Sequence, residues 1–382
     1  MLTFPASELV ALVRSVFPRF ETDRSLAILV DVPRDASLDN PAWKERRRLA
    51  FDWYAALRDR RKEIPLARVK LIAYADVGSN NADLPAEAFV LDAPPPDAAS
   101  GLVQVGKRTT FGRVFSAIQL FLAPTEYSTT APLKIAARHF HFRAATMPGF
   151  AAPMIPALRI DYGEVARRVD VLKAKLDEAS HAGVSFLVDG TDEYRVHFDL
   201  RRRAAHASSG CFPELGTAGN LPSGEAYIVP YEGEEDEASR TAGMLPVEID
   251  GEVVLFTIRA NRAVAVAGEG PAARAERAHL AAEPAYGNMA ELGFGVLADF
   301  GLKPIGEVLL DEKLGLHVAF GRSDHFGGTV GPDDFSSPAA VIHLDRIYIP
   351  QVQPRVALQT VNLGYADGRN EAIMTGGAYT IF

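Results

Sequence analysis

Three residues in the last quarter of the chain have the types and spacing to hold a divalent transition metal. His317 lies in Leu316-His317-Val318-Ala319-Phe320-Gly321, and His343 and Asp345 lie in Val341-Ile342-His343-Leu344-Asp345. Both stretches place polar groups among apolar residues in the manner of short β-strands. The two-residue period of a strand puts His343 and Asp345 on one face. Two imidazoles and a carboxylate are a ligand set for such an ion. Three glutamates upstream bear on whether one ion or two would bind. Glu225 ends the turn Asn220-Leu221-Pro222-Ser223-Gly224-Glu225. Glu291 sits among small and apolar residues in Gly287-Asn288-Met289-Ala290-Glu291-Leu292-Gly293-Phe294-Gly295, where an unpaired charge is costly. Glu312 stands in Leu310-Asp311-Glu312-Lys313, shortly before His317. Singly, each glutamate reads as a surface or ion-paired residue. Together the six groups form a carboxylate-rich set, and its anions would offset the mutual repulsion of two divalent ions.

The elements that must position these residues fall into two textures. Residues 1–204 alternate strand and helix signals, which predicts an open α/β domain with parallel pairing. Leu26–Val30 is a continuous apolar run of the buried-strand kind, and Ala42–Ile64 follows with helical spacing. Val69–Tyr74 and Lys134–Phe142 read as further strands, and Asp92–Ser100 as a proline-rich surface loop. Asp161 with Glu164 caps a helix whose stop is expected at Gly183, before a strand at Val184–Val188. Residues 205–382 carry glycine-rich turns between short β segments such as Ala226–Val229 and Val253–Ile258, with a helix at Pro271–Ala282. This half is expected to be a β-rich, barrel-like, metal-binding domain.

Composition narrows the function classes. The 382 residues are 48% hydrophobic and 23% charged, ordinary for a globular protein. No apolar run approaches the ~18 residues of a membrane span, and Met1–Phe20, with Glu8, Arg14 and Arg19, reads as an amphipathic helix, not a signal peptide. The net charge of −9 argues against a nucleic-acid partner. The basic runs Lys44–Arg48 and Arg58–Lys62 read as solvated helix faces, and the acidic run Glu232–Glu237 as a mobile solvated loop. A lone cysteine, Cys211, excludes an internal disulfide and suits a reducing cytoplasm. Phosphate-loop, His-Glu-x-x-His, Gly-x-Ser-x-Gly and dinucleotide-binding signatures are absent.

The glutamate and histidine segments, taken with Thr146-Met147-Pro148-Gly149, Asp161-Tyr162 and Gly190-Thr191-Asp192, resemble the thermophilic-type metallo-aminopeptidase family, aminopeptidase T, over roughly residues 140 to 350. The resemblance implies that Glu225, Glu291, Glu312, His317, His343 and Asp345 are ligands of two divalent ions, zinc, cobalt or manganese. It further implies a hydrolase that releases N-terminal residues of peptides through a metal-activated water, with Glu225 or Glu291 accepting the proton, and a homodimer. One position departs from the family pattern. A tyrosine that donates to the tetrahedral intermediate is replaced by Asp324, followed by His325. An ionised aspartate cannot donate, so either His325 substitutes or the reaction is not peptide hydrolysis.

The rival reading is similar to the 2,5-dihydroxypyridine 5,6-dioxygenases of the same superfamily. There His317, His343 and Asp345 would bind one Fe(II), and His206 would be a further active-site histidine, unless it is a solvated loop residue. Retention of the three glutamates favours the two-metal hydrolase. A non-catalytic binding protein on a degenerate scaffold would be marked by lost ligands, and none is lost. The substrate expected is a small peptide or other small molecule.

Overall fold

The apolar run at 26–30 is the middle of the strand Ser25–Val32, which is buried along its whole length. The computed structural model that shows this describes residues 4–18, 23–337 and 340–382. Arg19, part of the expected N-terminal helix, lies outside the described residues; the helix itself runs from Ala6 to Val16. Ser25–Val32 is the centre of a seven-stranded sheet of order 218–220, 143–146, 120–123, 25–32, 68–75, 87–91, 106–110. Pairing is parallel from 218–220 as far as 68–75 and antiparallel beyond. The helix Pro41–Asp59 starts where the Asn40 side chain accepts from Trp43 N, with proline in the first turn. Asn220 of the turn motif is structural here: its Oδ1 accepts from the Thr130 and Thr146 hydroxyls, tying the edge strand to the sheet.

Lys134–Phe142, expected as a strand, belongs to the helix Thr130–Phe140. The alternation at its end is misleading. Leu133 and Ala137, four residues apart, are the buried positions, Ile135 is exposed, and His141 closes the helix in the left-handed region at φ 60°. The helix capped by Asp161, which accepts from Gly163 N and Glu164 N, ends at Glu178, and Gly183 is not its stop. The chain passes directly into the strand Ala179–Val188, which pairs antiparallel with both neighbours and so is not a further parallel strand of the first sheet.

Contacts divide the chain into two compact units, Met1–Ala166 with Gly210–Ser223, and Arg167–Ser209 with Gly224–Phe382. The chain therefore passes between units more than once, where a single break at 204 was expected. Among the described residues, the second unit holds an eight-stranded and a five-stranded sheet, each with free ends, and no closed barrel. The helix Pro271–Ala282 is where the sequence places it. Within this unit the two sheets pack through aromatic contacts, with Phe256 and Phe320 ring centroids 5.0 Å apart and Phe186 and Tyr348 4.6 Å apart. Leu316, Val318 and Phe320 point into that core, so the alternate residues of their strand must face the other way. Among the described residues no helix is long and apolar enough to cross a membrane.

Candidate metal centre

The five-stranded sheet runs in the order 343–347, 316–321, 289–295, 225–228, 206–208, antiparallel throughout. Its register places Ile347, His317, Gly293, Tyr227 and His206 in one row across the strands. Asp345, Ala319 and Glu291 form the next row. Directly opposed residues share a face, so His317, His343, Asp345, Glu291, Glu225, Tyr227 and His206 all rise from the same side. Small residues between them leave room. A Cβ on Gly293 would lie 2.0 Å from His317 Nε2, and one on Gly295 would meet the Lys313 backbone. The glycines of the Gly293-Phe294-Gly295 motif thus let the His317 imidazole and the turn before its strand lie against the sheet.

On that face Glu291 is the hub. Its Oε1 lies 3.1 Å from His317 Nε2 and its Oε2 3.4 Å from His343 Nε2. Glu225 Oε2 is 3.6 Å from His317 Nε2, and Asp345 Oδ1 is 3.6 Å from His343 Nε2. Two groups result, Glu225–Glu291–His317 and Glu291–His343–Asp345, each with ligand atoms within 4.8 Å of one another. His343 Nδ1 donates to the Arg322 carbonyl oxygen at 2.8 Å, which leaves Nε2 as the ligating nitrogen. Glu225 Oε2 is buried and accepts no hydrogen bond. The donor set and that orphaned oxygen fit divalent ions of the imidazole–carboxylate class.

Glu312 stands outside both groups. Its carboxylate pairs with the buried Lys313 ammonium, which also pairs with Glu225. Burial alone would lower the Lys313 pKa, but the two carboxylates beside it raise it and keep it charged. Burial raises Glu225 and Glu312 above the usual carboxylate range. Burial also opposes charge on Glu291, yet the His317 and His343 rings bonded to it hold it below that range. Both imidazoles are pushed up in turn, against burial, by Glu291 and by Glu225 or Asp345.

Asp324 and His325 occupy a short turn beside this face. Asp324 is paired with Arg322, which holds its carboxyl low despite partial burial. The His325 ring centroid is 5.4 Å from that of His343, and burial, with His343 and Arg322 nearby, pushes its pKa down to about 4. His206 is not a solvated loop residue: it lies in the edge strand, stacks on Tyr227 at 5.2 Å, and its Nε2 donates to the Phe326 carbonyl oxygen. Sequence reasoning passes over Lys313, although it stands in the Asp311-Glu312-Lys313 segment, and Tyr227, whose spacing of two from Glu225 puts it on the same face.

Two charge runs also differ in part from expectation. Glu234, Glu235 and Glu237 are paired with Arg203, Arg202 and Arg201, and the Glu232 carboxylate is enclosed, accepting from Asn288, Ser323 and Thr329. The run is a largely exposed loop, as expected, but its glutamates are ion-paired and the enclosed Glu232 carboxylate anchors it. In Lys44–Arg48 only part is solvated: Arg46 and Arg47 are buried, paired with Glu126 and Asp39.

No protein-family model and no curated protein matches the chain. Among solved structures it is similar to the 2,5-dihydroxypyridine dioxygenase of Pseudomonas putida KT2440, with TM-score 0.60 and 15% identity over 99% of this chain and 98% of that one. It is also similar to wild-type AmpT from Thermus thermophilus, with TM-score 0.54 and 15% identity over 99% of this chain and 100% of that one. The chain shares its fold with both. Fold does not carry function, so the chemistry has to be argued from the site.

Proposed function

We propose that this protein is a metal-dependent, aminopeptidase-like hydrolase that uses two divalent ions to release N-terminal residues from peptides. The observation that carries this reading is the sharing of Glu291, one oxygen towards His317 and the other towards His343. Glu225, Glu291 and His317 would hold one ion, and Glu291, His343 and Asp345 the other. When bound, such ions supply Lewis-acid polarisation of a carbonyl and a lowered pKa of water. The chain's own residues do the rest. The Arg322 carbonyl fixes the His343 tautomer, Lys313 holds Glu225 and Glu312 in place, and Glu225 or Glu291 accepts the proton released by the water. The residue-level likeness to aminopeptidase T and the fold shared with AmpT support the same assignment.

A second reading is favoured by one observation. His206, Tyr227, Phe326 and His325 form an aromatic wall reaching His343, which suits a flat ring, and the fold is also that of a dihydroxypyridine dioxygenase. A mononuclear Fe(II) dioxygenase would gather His317, His343 and Asp345 around one ion. Against it, His317 groups with Glu225 and Glu291, and His343 and Asp345 group with Glu291, an arrangement that supports the two-ion reading.

Metal analysis with a paired assay tests the choice. Zinc-, cobalt- or manganese-loaded protein is offered aminoacyl-anilides, and anaerobically Fe(II)-loaded protein is offered dihydroxypyridines with oxygen uptake followed. Two divalent ions per chain and anilide cleavage are expected. A single tightly held iron with oxygen uptake would reverse the assignment.

A further inference from the structure

We propose that the open edge of the strand His343–Ile347 docks the peptide substrate, whose extended main chain adds one more strand to the five-stranded sheet. This rests on the hydrolase reading above and says how its substrate is held. The strand ends the sheet and is paired on one side only, with Leu316–Gly321. Tyr348 N donates to the Leu316 carbonyl oxygen, and Arg322 N to that of Ile342. The bonded pairs of an antiparallel ladder fall at every second position, so the N–H and C=O of Leu344 and Arg346 turn towards the sheet. The same groups of His343 and Asp345, and the Ile347 N–H, point outwards. Among the described residues none of these outward groups has a hydrogen-bond partner. The Ile347 carbonyl oxygen is capped by Gln353 Nε2 at 2.9 Å. His343 to Arg346 are half-buried, so the edge reaches solvent. Its register has no bulge and its sequence no proline, two usual means of closing an edge.

Two observations say what this edge takes. Its outward backbone belongs to His343 and Asp345, whose side chains reach into the ligand cluster. A strand added there would run about 5 Å from the backbone that carries both of them. Donors and acceptors alternating at strand spacing are matched by another extended main chain, whatever its side chains. Beside the Asp345–Ile347 end lies a cavity of about 290 Å³, with Val247, Val308, Ile347 and Val352 in its walls. Val308 and Val352 are exposed, which leaves an apolar wall open to a side chain of the added strand. Main-chain pairing then supplies affinity that is indifferent to sequence, and the cavity adds a preference for an apolar side chain.

The probe is an unblocked pentapeptide whose first peptide bond is reduced to a methylene-amine, so that it binds without being cleaved there. Calorimetry on zinc-supplemented protein compares it with the matching dipeptide and with versions N-methylated in turn at the second, third and fourth peptide bonds. A strand edge bonds to every second amide, so affinity should alternate along the peptide. Binding is expected to be about 10-fold weaker where the methyl replaces an edge-facing N–H, and less than about 3-fold weaker at the adjacent amide. The pentapeptide should bind at least about 10-fold more tightly than the dipeptide. Val308→Trp closes the cavity from its exposed rim and locates the strand; it should weaken the pentapeptide about 10-fold. Equal losses at all three amides, a pentapeptide no tighter than the dipeptide, or wild-type affinity in Val308→Trp would each overturn the proposal. So would an edge already held by a second copy of the chain, which would leave the pentapeptide unbound. If affinity alternates but no peptide is cleaved, the aminopeptidase reading falls and the docking edge stands. If peptides are cleaved with no alternation, the edge falls and the hydrolase reading stands.

Discussion

Two acid-rich regions of the second unit look alike in sequence and opposite in structure. Between Glu232 and Glu237, the glutamates 234, 235 and 237 meet the consecutive guanidiniums of Arg201, Arg202 and Arg203, which also stack around Tyr231 at 5.6–5.8 Å. The side chains of Glu235 and Glu237 are 61% and 40% exposed, so water shares the work. On the five-stranded sheet, Glu225 and Glu291 are buried and Asp345 is nearly so, Glu312 lies in the turn before one of its strands, and Lys313 is the cation paired with Glu225 and Glu312. Abundance of acid therefore says little. A buried shortage of positive charge, with imidazole nitrogens turned towards it, is what distinguishes a place for metal ions from an ordinary ion-pair network.

Substitutions can break or sharpen that contrast. The largest effect is expected from Glu291→Gln, because the carboxylate is common to both groups. Both ions should be lost and anilide hydrolysis should fall to background, as read by metal analysis and turnover; a variant that keeps either ion at full occupancy would show that Glu291 does not link the sites. Next, Lys313→Met leaves Glu225 and Glu312 without their cation. Metal-free protein should lose about 3–5 kcal/mol in urea unfolding, the usual cost of stranding one partner of a buried pair. Added zinc or manganese should restore part of it, since an ion bound only by the folded state stabilises it. A loss under about 1 kcal/mol, the range of exposed pairs, would make the sheet cluster no different from the loop.

Gly293→Ala probes the same face without touching a charge. Its new methyl would sit 2.0 Å from His317 Nε2, so the ring must move. Metal affinity should fall about 10- to 100-fold, as for other changes that disturb ligand orientation, measured by competition with a chelator. The smallest effect is expected at Arg202→Ala. Its partner Glu235 is well exposed, so stability should change by less than about 1 kcal/mol, with metal content and turnover untouched.

Much of this site is legible in the amino-acid sequence, because strand periodicity is local. His343 and Asp345 share a face for that reason, and the same rule brings in Tyr227 beside Glu225. Burial of Glu291 follows from its apolar, glycine-rich neighbours. What the sequence conceals is partnership across long separations. Nothing near Glu234, Glu235 and Glu237 announces the arginines at 201–203, and the placement of Glu312 outside the ligand groups depends on where Lys313 turns its ammonium. The helix Thr130–Phe140 reads as a strand because its last residues alternate, while its buried positions, Leu133 and Ala137, repeat every four. The free-ended sheets of the second unit likewise depend on pairings such as Ala179–Val188 with Val356–Tyr365, far apart in the chain.

The late edge strand Ala218–Asn220 sets an order of assembly. The segment Arg167–Ser209, which belongs to the other unit, is synthesised before it. The seven-stranded sheet therefore waits, its Arg143–Thr146 edge bare, while part of its neighbour is already in hand. A bare strand edge invites pairing with another chain. A chain ended after residue 204 would lack Ala218–Asn220, so its Arg143–Thr146 edge would stay unpaired and open to another chain.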